Sequence, residues 1–382
     1  MDNILEYWMK YSLDNEYGGF YGRIDHHNQV IPKSSKSCIL NTRILWTFSA
    51  AYNFLKKKEL LEVAIRAYNY ILNHFFDHEY GGLYWEVDYL GNPLDMRKQI
   101  YAQAFGIYGF SEYYKACGDI DSLRHAQELF WLIEKYSLDP KNNGYIEALD
   151  KKWQPLLDMR LSKKDINEPK SMNTHLHILE AYTNLYYVWK EKSLNKQIEN
   201  LLWIFLNKII DQKSHHFQLF FDLSWTVKSS IISFGHDIEG SWLLTEATEA
   251  LGNEKLLKEI NDVVIKLVDR TVKEGTDKSS SLFYENDNKT GEMDFDKHWW
   301  CQAEAMIGLV NAWQITGNQQ YLKNATDIWD YITQFIINTE HGEWNAVIDK
   351  FDHIITTGDR VGFWKGPYHN TRACIEVINR VG

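Results

Sequence analysis

His177, His236 and His369 each stand where a polar segment passes into an aromatic-flecked, helix-patterned one: MNTHLHILEAY, FGHDIEGSWLL and GPYHNTRACIEV. Imidazole has the side-chain pKa nearest neutrality, so it both takes and gives a proton there. Three such residues at equivalent points of a repeating chain imply one pocket built for proton transfer. His236 and His369, with the most polar neighbours, are the expected acid/base pair. Other polar groups occupy corresponding points: Asn41-Thr42-Arg43, Tyr101 and Gln103, Asn173, Glu239, the run His298-Trp299-Trp300 with Glu304, and Arg372.

Helical spacing sorts these groups. Asn173 and His177 are i, i+4; His236 and Glu239, and His369 and Arg372, are i, i+3, so each pair shares a helix face. Glu239 is expected to orient His236 or to stabilise its protonated form. Arg372 should oppose protonation of His369, and the helix N-terminal dipole disfavours imidazolium generally, keeping a histidine neutral as a base. Arg43, a cation at a helix entrance, suits a substrate oxygen that gains charge. The His175-Leu176-His177 triplet is a poor chelate, because residues two apart on a helix point to nearly opposite sides. No ligand spacing of metal-site type is evident, and neither metal nor cofactor is expected.

The elements that must position these side chains repeat. Turn residues followed by aromatics recur as EYGGFYGRID from Glu16, HEYGGLYWEVD from His78 and NNGYIEALD from Asn142, with weaker copies from His215, Ser280 and His341. Each copy reads as a short extended or hairpin segment. Between them, stretches such as ILNTRILWTFSAAYNFLKK and LLEVAIRAYNYILNHFF carry apolar residues at helical period. Two helices and one extended loop per repeat, six times, give an all-α (α/α)6 barrel over residues 1–382 as one catalytic domain, with hairpin loops at one rim; an open solenoid is the alternative. Two long polar segments, about Asp150–Ser171 and Thr271–Lys297, read as rim or lid elements.

Composition narrows the partners. A formal net charge of −11 disfavours nucleic acid and anionic membranes. Aromatic content of 15%, with 15 Trp and 23 Tyr, exceeds core needs and suits stacking on sugar rings. Cys38, Cys117, Cys301 and Cys374 are scattered, with no CxxC pair, and read as reduced thiols. With neither a signal-peptide pattern nor a membrane-spanning run, a cytoplasmic protein is expected, as a monomer or weak homodimer.

The stretches CILNTRILW, YAQAFGIYGFSEYY, KSMNTHLHILEAYTNLY, GHDIEGSWLL, DKHWWCQAEA and PYHNTRACIE, in this order along nearly the whole chain, resemble the N-acylglucosamine 2-epimerase superfamily, and most of all its cellobiose 2-epimerase branch. The resemblance implies an (α/α)6 barrel that epimerises a reducing-end sugar at C2 without metal or nicotinamide. It makes His236 and His369 the acid/base pair, His177 a third essential histidine in ring opening or substrate positioning, and Arg43 the cation on the enediolate oxygen. Tyr101, Asn173 and Glu239 match pocket residues, Trp299 and Trp364 match sugar-packing aromatics, and Asp165 matches a lid residue. The substrate expected is a small oligosaccharide. Competing readings are a monosaccharide epimerase or aldose–ketose isomerase sharing the intermediate, and a glycoside hydrolase, which needs two carboxyls flanking the scissile bond. Asp237, Glu239 and Glu304 are candidates for those, yet they leave the histidines unexplained.

Overall fold

A computed structural model describes residues 1–382. Its helices are α1 (Asp2–Tyr11), α2 (Cys38–Leu55), α3 (Lys58–Tyr70), α4 (Ile100–Cys117), α5 (Ile120–Tyr136), α6 (Met172–Val188), α7 (Lys192–Ile204), α8 (Phe234–Leu251), α9 (Glu254–Gly275), α10 (Trp299–Thr316), α11 (Gln319–Tyr331) and α12 (Tyr368–Val381). Even-numbered helices are inner. In α4 every residue from Ile100 to Tyr113 is buried, as expected of a helix apolar on all sides. Odd-numbered helices are amphipathic: α9 buries a stripe that includes Ile260, Val264, Leu267 and Val268 and leaves its lysines and glutamates to water. Small residues let inner helices approach closely; a Cβ on Gly308 would lie 2.8 Å from the Ile238 carbonyl oxygen.

Each inner helix packs on the next, and α12 meets α2, so the ring closes into an (α/α)6 barrel and is not an open solenoid. The N-terminal α1 packs against α12 and serves as its outer neighbour.

The six sequence repeats correspond to six bridges: Leu13–Phe20, Phe76–Leu83, Leu138–Tyr145, Ile210–Phe217, Thr276–Leu282 and Ile337–Trp344. The short strand before each inner helix pairs with the hairpin that follows the next outer helix: Lys36 with Val87, Lys98 with Leu149, Lys170 with Phe221, Ile231 with Asp287, and Lys297 with Ile348. Ile24 with Val361 completes the circle. Buried ion pairs staple this rim. Lys36 meets Asp14 at 2.7 Å, Lys98 meets Asp77 at 2.7 Å, Lys170 meets Asp139 at 2.9 Å and Lys297 meets Asp277 at 2.6 Å. Each lysine precedes an inner helix, and each aspartate opens a turn, so every staple fixes where a helix entrance sits.

Residues 150–169 form a loop over the mouth. The second long segment is more ordered than its polarity suggests. Helix α9 runs on to Gly275, and Glu285–Asp287 pairs with Glu292–Asp294 as a hairpin that also pairs with Ile231–Ser233. Backbone partners explain the difference: Phe283 N–H bonds to the Gly275 carbonyl, joining the hairpin to the helix end.

Candidate active site

Inner-helix entrances converge on a cavity of about 430 Å³. All ten residues expected from sequence line it: Arg43, Tyr101, Asp165, Asn173, His177, His236, Glu239, Trp299, Trp364 and His369. His175 does not. It faces outward from the cavity side of α6, accepts the Tyr145 N–H at 2.9 Å through Nε2 and contacts the Ser171 carbonyl through Nδ1, holding the rim in place.

Beneath the cavity lies a charge hub. Arg372, fully buried, donates to Glu239 at 2.6 Å and to Glu304 at 2.7 Å through Nη2, and to Glu180 through Nη1. Glu304 accepts from His369 Nδ1 at 2.7 Å and from Trp242 Nε1 at 3.1 Å. Glu180 accepts from His177 Nδ1 at 2.8 Å and from the Tyr368 hydroxyl. A carboxylate on Nδ1 fixes the tautomer and leaves Nε2 with its lone pair for a substrate proton. One arginine thus supports the carboxylates that orient two histidines.

The hub corrects one expectation. Glu239 does not partner His236. It binds Arg372 across the barrel and lies 4.0 Å from His369 Nδ1. His236 Nδ1 instead meets Ser233 Oγ at 2.8 Å. Spacing along one helix gave the shared face, but ring closure brought a stronger partner from α12. The expected absence of metal-type grouping also needs revision. His177–Glu180–Glu239 and Glu239–Glu304–His369 each place ligand atoms within 4.8 Å of one another. The Arg372 guanidinium already sits among these carboxylates as their cation.

Electrostatics keep the bases neutral. Burial pushes His236 down to about 3, with the charge of His177 adding. Burial, Arg43 and Arg372 hold His369 well below the ordinary imidazole value, as expected for Arg372. Burial lifts the Glu239 carboxyl to about 7, Glu304 adding and Arg372 opposing.

Arg43 makes no ion pair. It donates to the Tyr101 hydroxyl at 2.8 Å and to the Trp364 carbonyl at 3.2 Å, and stacks 4.5 Å from the Phe105 ring centroid. Its charge is therefore available to an oxyanion, and the Tyr101 O–H proton remains free to donate. Asn173 Oδ1 is buried with no partner, a vacancy that suits a substrate hydroxyl. Asp165 caps the Ser162 N–H at 2.7 Å in the loop over the mouth.

The sequence placed Trp300 at a helix entrance without a role, and it did not single out Glu180, Tyr284, Glu285 or Lys164. Trp300 packs between the two bases, its ring centroid 4.9 Å from that of His236 and 5.6 Å from that of His369. Gly235 makes room for it, since a Cβ there would lie 2.5 Å from the Trp300 ring. Glu180 carried a signal in its i, i+3 spacing to His177. Tyr284, Glu285 and Lys164 carried none.

A closed helical barrel whose cavity gathers two buried imidazoles, a guanidinium without an ion pair and three tryptophans suits acid/base chemistry on a carbohydrate. The N-acylglucosamine 2-epimerase (GlcNAc 2-epimerase) family model matches residues 19–371. The chain is 48% identical over 375 residues to a cellobiose 2-epimerase of Bacteroides fragilis, covering 98% of this chain and 95% of that protein. It is 39% identical over 382 residues to one from Dictyoglomus turgidum, covering 100% and 96%. The solved cellobiose 2-epimerase of Bacillus thermoamylovorans superposes with a TM-score of 0.95 at 41% identity, covering 100% of this chain and 98% of that one. The chain belongs to the N-acylglucosamine 2-epimerase family and is a carbohydrate epimerase, an isomerase. No helix is long and apolar enough to cross a membrane.

Proposed function

We propose that this protein interconverts glucose and mannose at the reducing end of β-1,4-linked disaccharides such as cellobiose and lactose, as a cellobiose 2-epimerase. One observation carries the reading: His236 and His369 come from α8 and α12, on either side of α10, and flank the same Trp300 ring while lining one cavity. Two neutral bases held apart reach the two faces of one carbon. High identity to named cellobiose 2-epimerases over nearly the full length supports the substrate.

The residues divide the reaction as follows. His177, fixed by Glu180, helps move the anomeric hydroxyl proton to the ring oxygen, opening the sugar to its aldehyde. One of His236 and His369 takes the C2 proton, and the C–H electron pair moves into a C1–C2 double bond as the carbonyl oxygen becomes an enediolate oxygen. Arg43 and the Tyr101 hydroxyl stabilise that charge. The other imidazole, carrying its proton on Nε2, gives that proton to the opposite face of C2, the carbonyl reforms, and exchange with water removes the proton the first imidazole gained and restores the one the second lost. Asn173, Glu239, Asp165, Trp299 and Trp364 hold the substrate. Residues 1–382 work as one catalytic domain. Neither metal nor cofactor takes part in this scheme, because the two imidazoles and Arg43 supply the groups it needs. The four free cysteines fit a reducing, cytoplasmic setting, and we read the protein as a monomer or weak homodimer.

The test is cellobiose, lactose, glucose, mannose and N-acetylglucosamine in D2O, followed by NMR. A glucosyl- or galactosyl-mannose product with deuterium at C2 is expected. A ketose product would make the protein an aldose–ketose isomerase, cleavage a hydrolase. Full turnover in both His236→Ala and His369→Ala would refute the assignment of bases.

A further inference from the structure

The repeat that carries His236 is stapled differently from the others. A lysine paired with a turn aspartate stands two residues before α2, α4, α6 and α10, and Lys365, shortly before α12, pairs with Glu343 at 3.0 Å. Before α8 the matching position holds Ile232. Asp211 opens the turn of that repeat but forms no ion pair; it accepts the Lys213 N–H at 2.7 Å and the Ser214 N–H at 3.2 Å. The hairpin is tied differently as well. In three other repeats a neutral side chain on the fourth residue of the inner helix accepts a hairpin N–H: Gln103 from Leu83 at 2.7 Å, His175 from Tyr145 at 2.9 Å and Gln302 from Leu282 at 2.8 Å. In α8 that residue is a carboxylate, Asp237, which accepts from the Phe217 N–H at 2.8 Å. It follows directly on His236.

A buried carboxylate needs a cation, and His216 supplies it. Its Nδ1 lies 2.6 Å from Asp237, and its Nε2 lies 3.1 Å from Glu274 near the end of α9. Both contacts are hydrogen bonds only when each ring nitrogen carries a proton, so the geometry calls for imidazolium. His216 and Asp237 are both buried. Beyond Glu274 stands Arg270, paired with it at 3.0 Å and donating to the Ser214 carbonyl at 3.0 Å; the Phe234 ring of α8 lies beside the imidazole. Burial opposes the charge on His216, but hydrogen bonds and charge from Asp237 and Glu274 outweigh it and raise its pKa above the ordinary value. One imidazolium therefore joins the hairpin, α8 and α9 where α8 begins. His236 depends on that point. Its Nδ1 is held by the Ser233 hydroxyl, with no carboxylate behind it of the kind that His177 and His369 have. Its aim follows the backbone of the first turn of α8.

We infer that His216 is a positioning residue for His236, a titratable clasp that takes the place of the lysine staple and sets the first turn of α8 while it carries a proton. It touches no substrate and takes no part in proton transfer. The inference rests on the reading of His236 as a base. A raised pKa fixes the sign of the pH dependence. The stabilisation is full below the unfolded value of about 6.5 and is lost as pH rises through the folded value. Loss of the clasp turns His236 from its target without altering the groups that hold the sugar, so kcat falls at alkaline pH while KM holds.

The experiment measures kcat and KM for cellobiose in the parent and in His216→Gln from about pH 6 to about pH 10. Imidazole resonances are followed by NMR over the same range, that of His216 being the one missing from the variant. In the parent, the His216 resonance should titrate above about 6.5, and a fall in kcat should coincide with it. In His216→Gln that fall should vanish. Its kcat near neutral pH should be about tenfold lower, short of the roughly hundredfold that a misplacement of about 1 Å costs, with KM within twofold. A thermal melt confirms folding. A purely structural role would lower Tm and leave the shape of the kcat profile unchanged, and that result overturns the inference. So does a KM that rises as kcat falls, or a His216 resonance that titrates at or below the ordinary value. If the variant does not fold, the parent decides alone: a kcat profile that ignores the His216 titration overturns the inference. Full turnover in His236→Ala would instead refute the base reading, a result independent of how His216 titrates.

Discussion

Glu304→Gln tests whether the hub beneath the cavity sets the chemistry above it. Gln keeps the length and shape of Glu but removes the charge that His369 Nδ1 meets at 2.7 Å and Arg372 at 2.7 Å. A hydrogen bond to a charged group contributes about 1.5–3 kcal/mol. At about 1.4 kcal/mol per decade of rate, its loss in the transition state, where His369 carries a proton, predicts a drop in kcat of roughly 10- to 150-fold. The upper end applies if the amide NH2 turns toward Nδ1 and places the imidazole proton on Nε2. Glu304 orients the base and does not face the distal sugar, so KM should stay within a few-fold. Arg372 keeps Glu180 and Glu239 as partners, so the barrel remains folded. The assay is initial-rate cellobiose epimerisation at saturating substrate, with C2 deuterium incorporation and a thermal melt in parallel. A folded variant with kcat within threefold of the parent would refute the claim that this carboxylate sets the base.

Three further outcomes follow from the same geometry. His236 remains neutral in the folded state down to about 3, whereas the unfolded chain binds a proton near 6.5; protonation therefore favours unfolding as pH falls below 6.5, and the Tm loss between pH 7 and pH 5 should be smaller in His236→Gln than in the parent. Gly235→Ala drives a methyl to 2.5 Å from the Trp300 ring and the Cys301 sulfur, and should destabilise by about 1–3 kcal/mol by denaturant titration while lowering kcat, because Trp300 packs against both bases. Lys98→Ala leaves Asp77 buried without its cation and should cost about 3–5 kcal/mol in the same titration; a loss under 1 kcal/mol would show the rim staples to be dispensable.

The repeats were legible because turn glycines and helical period are local properties. So were the three histidines, since each falls within the first two turns of an inner helix. What escaped was whatever depends on two repeats meeting. Glu239 was assigned to His236 by spacing, but closure sets it on Arg372. Glu180 lies deeper along α6 than the helix entrance, where a lone carboxylate reads as a core polar group until Arg372 and Tyr368 arrive from the last helix. Lys36, Lys98, Lys170 and Lys297 look like ordinary surface lysines in sequence, and only the pairing of neighbouring rims buries them. Glu285 sits in a segment read as a rim or lid element, where only a weak repeat copy from Ser280 signalled the hairpin.

The packing of α1 against α12 has a consequence for biosynthesis. The helix carrying His369 and Arg372 leaves the ribosome after every other helix of the ring, and its outer neighbour is the first one made. Up to that point the nascent barrel exposes the flanks of α2 and α10 and lacks both a base and the cation that orders Glu180, Glu239 and Glu304. Contacts between such distant segments form slowly, and partly assembled chains with open apolar faces aggregate. A chain cut short before Tyr368 would therefore be inert and prone to stick, so catalytic competence reports that the whole ring has been translated and joined end to end.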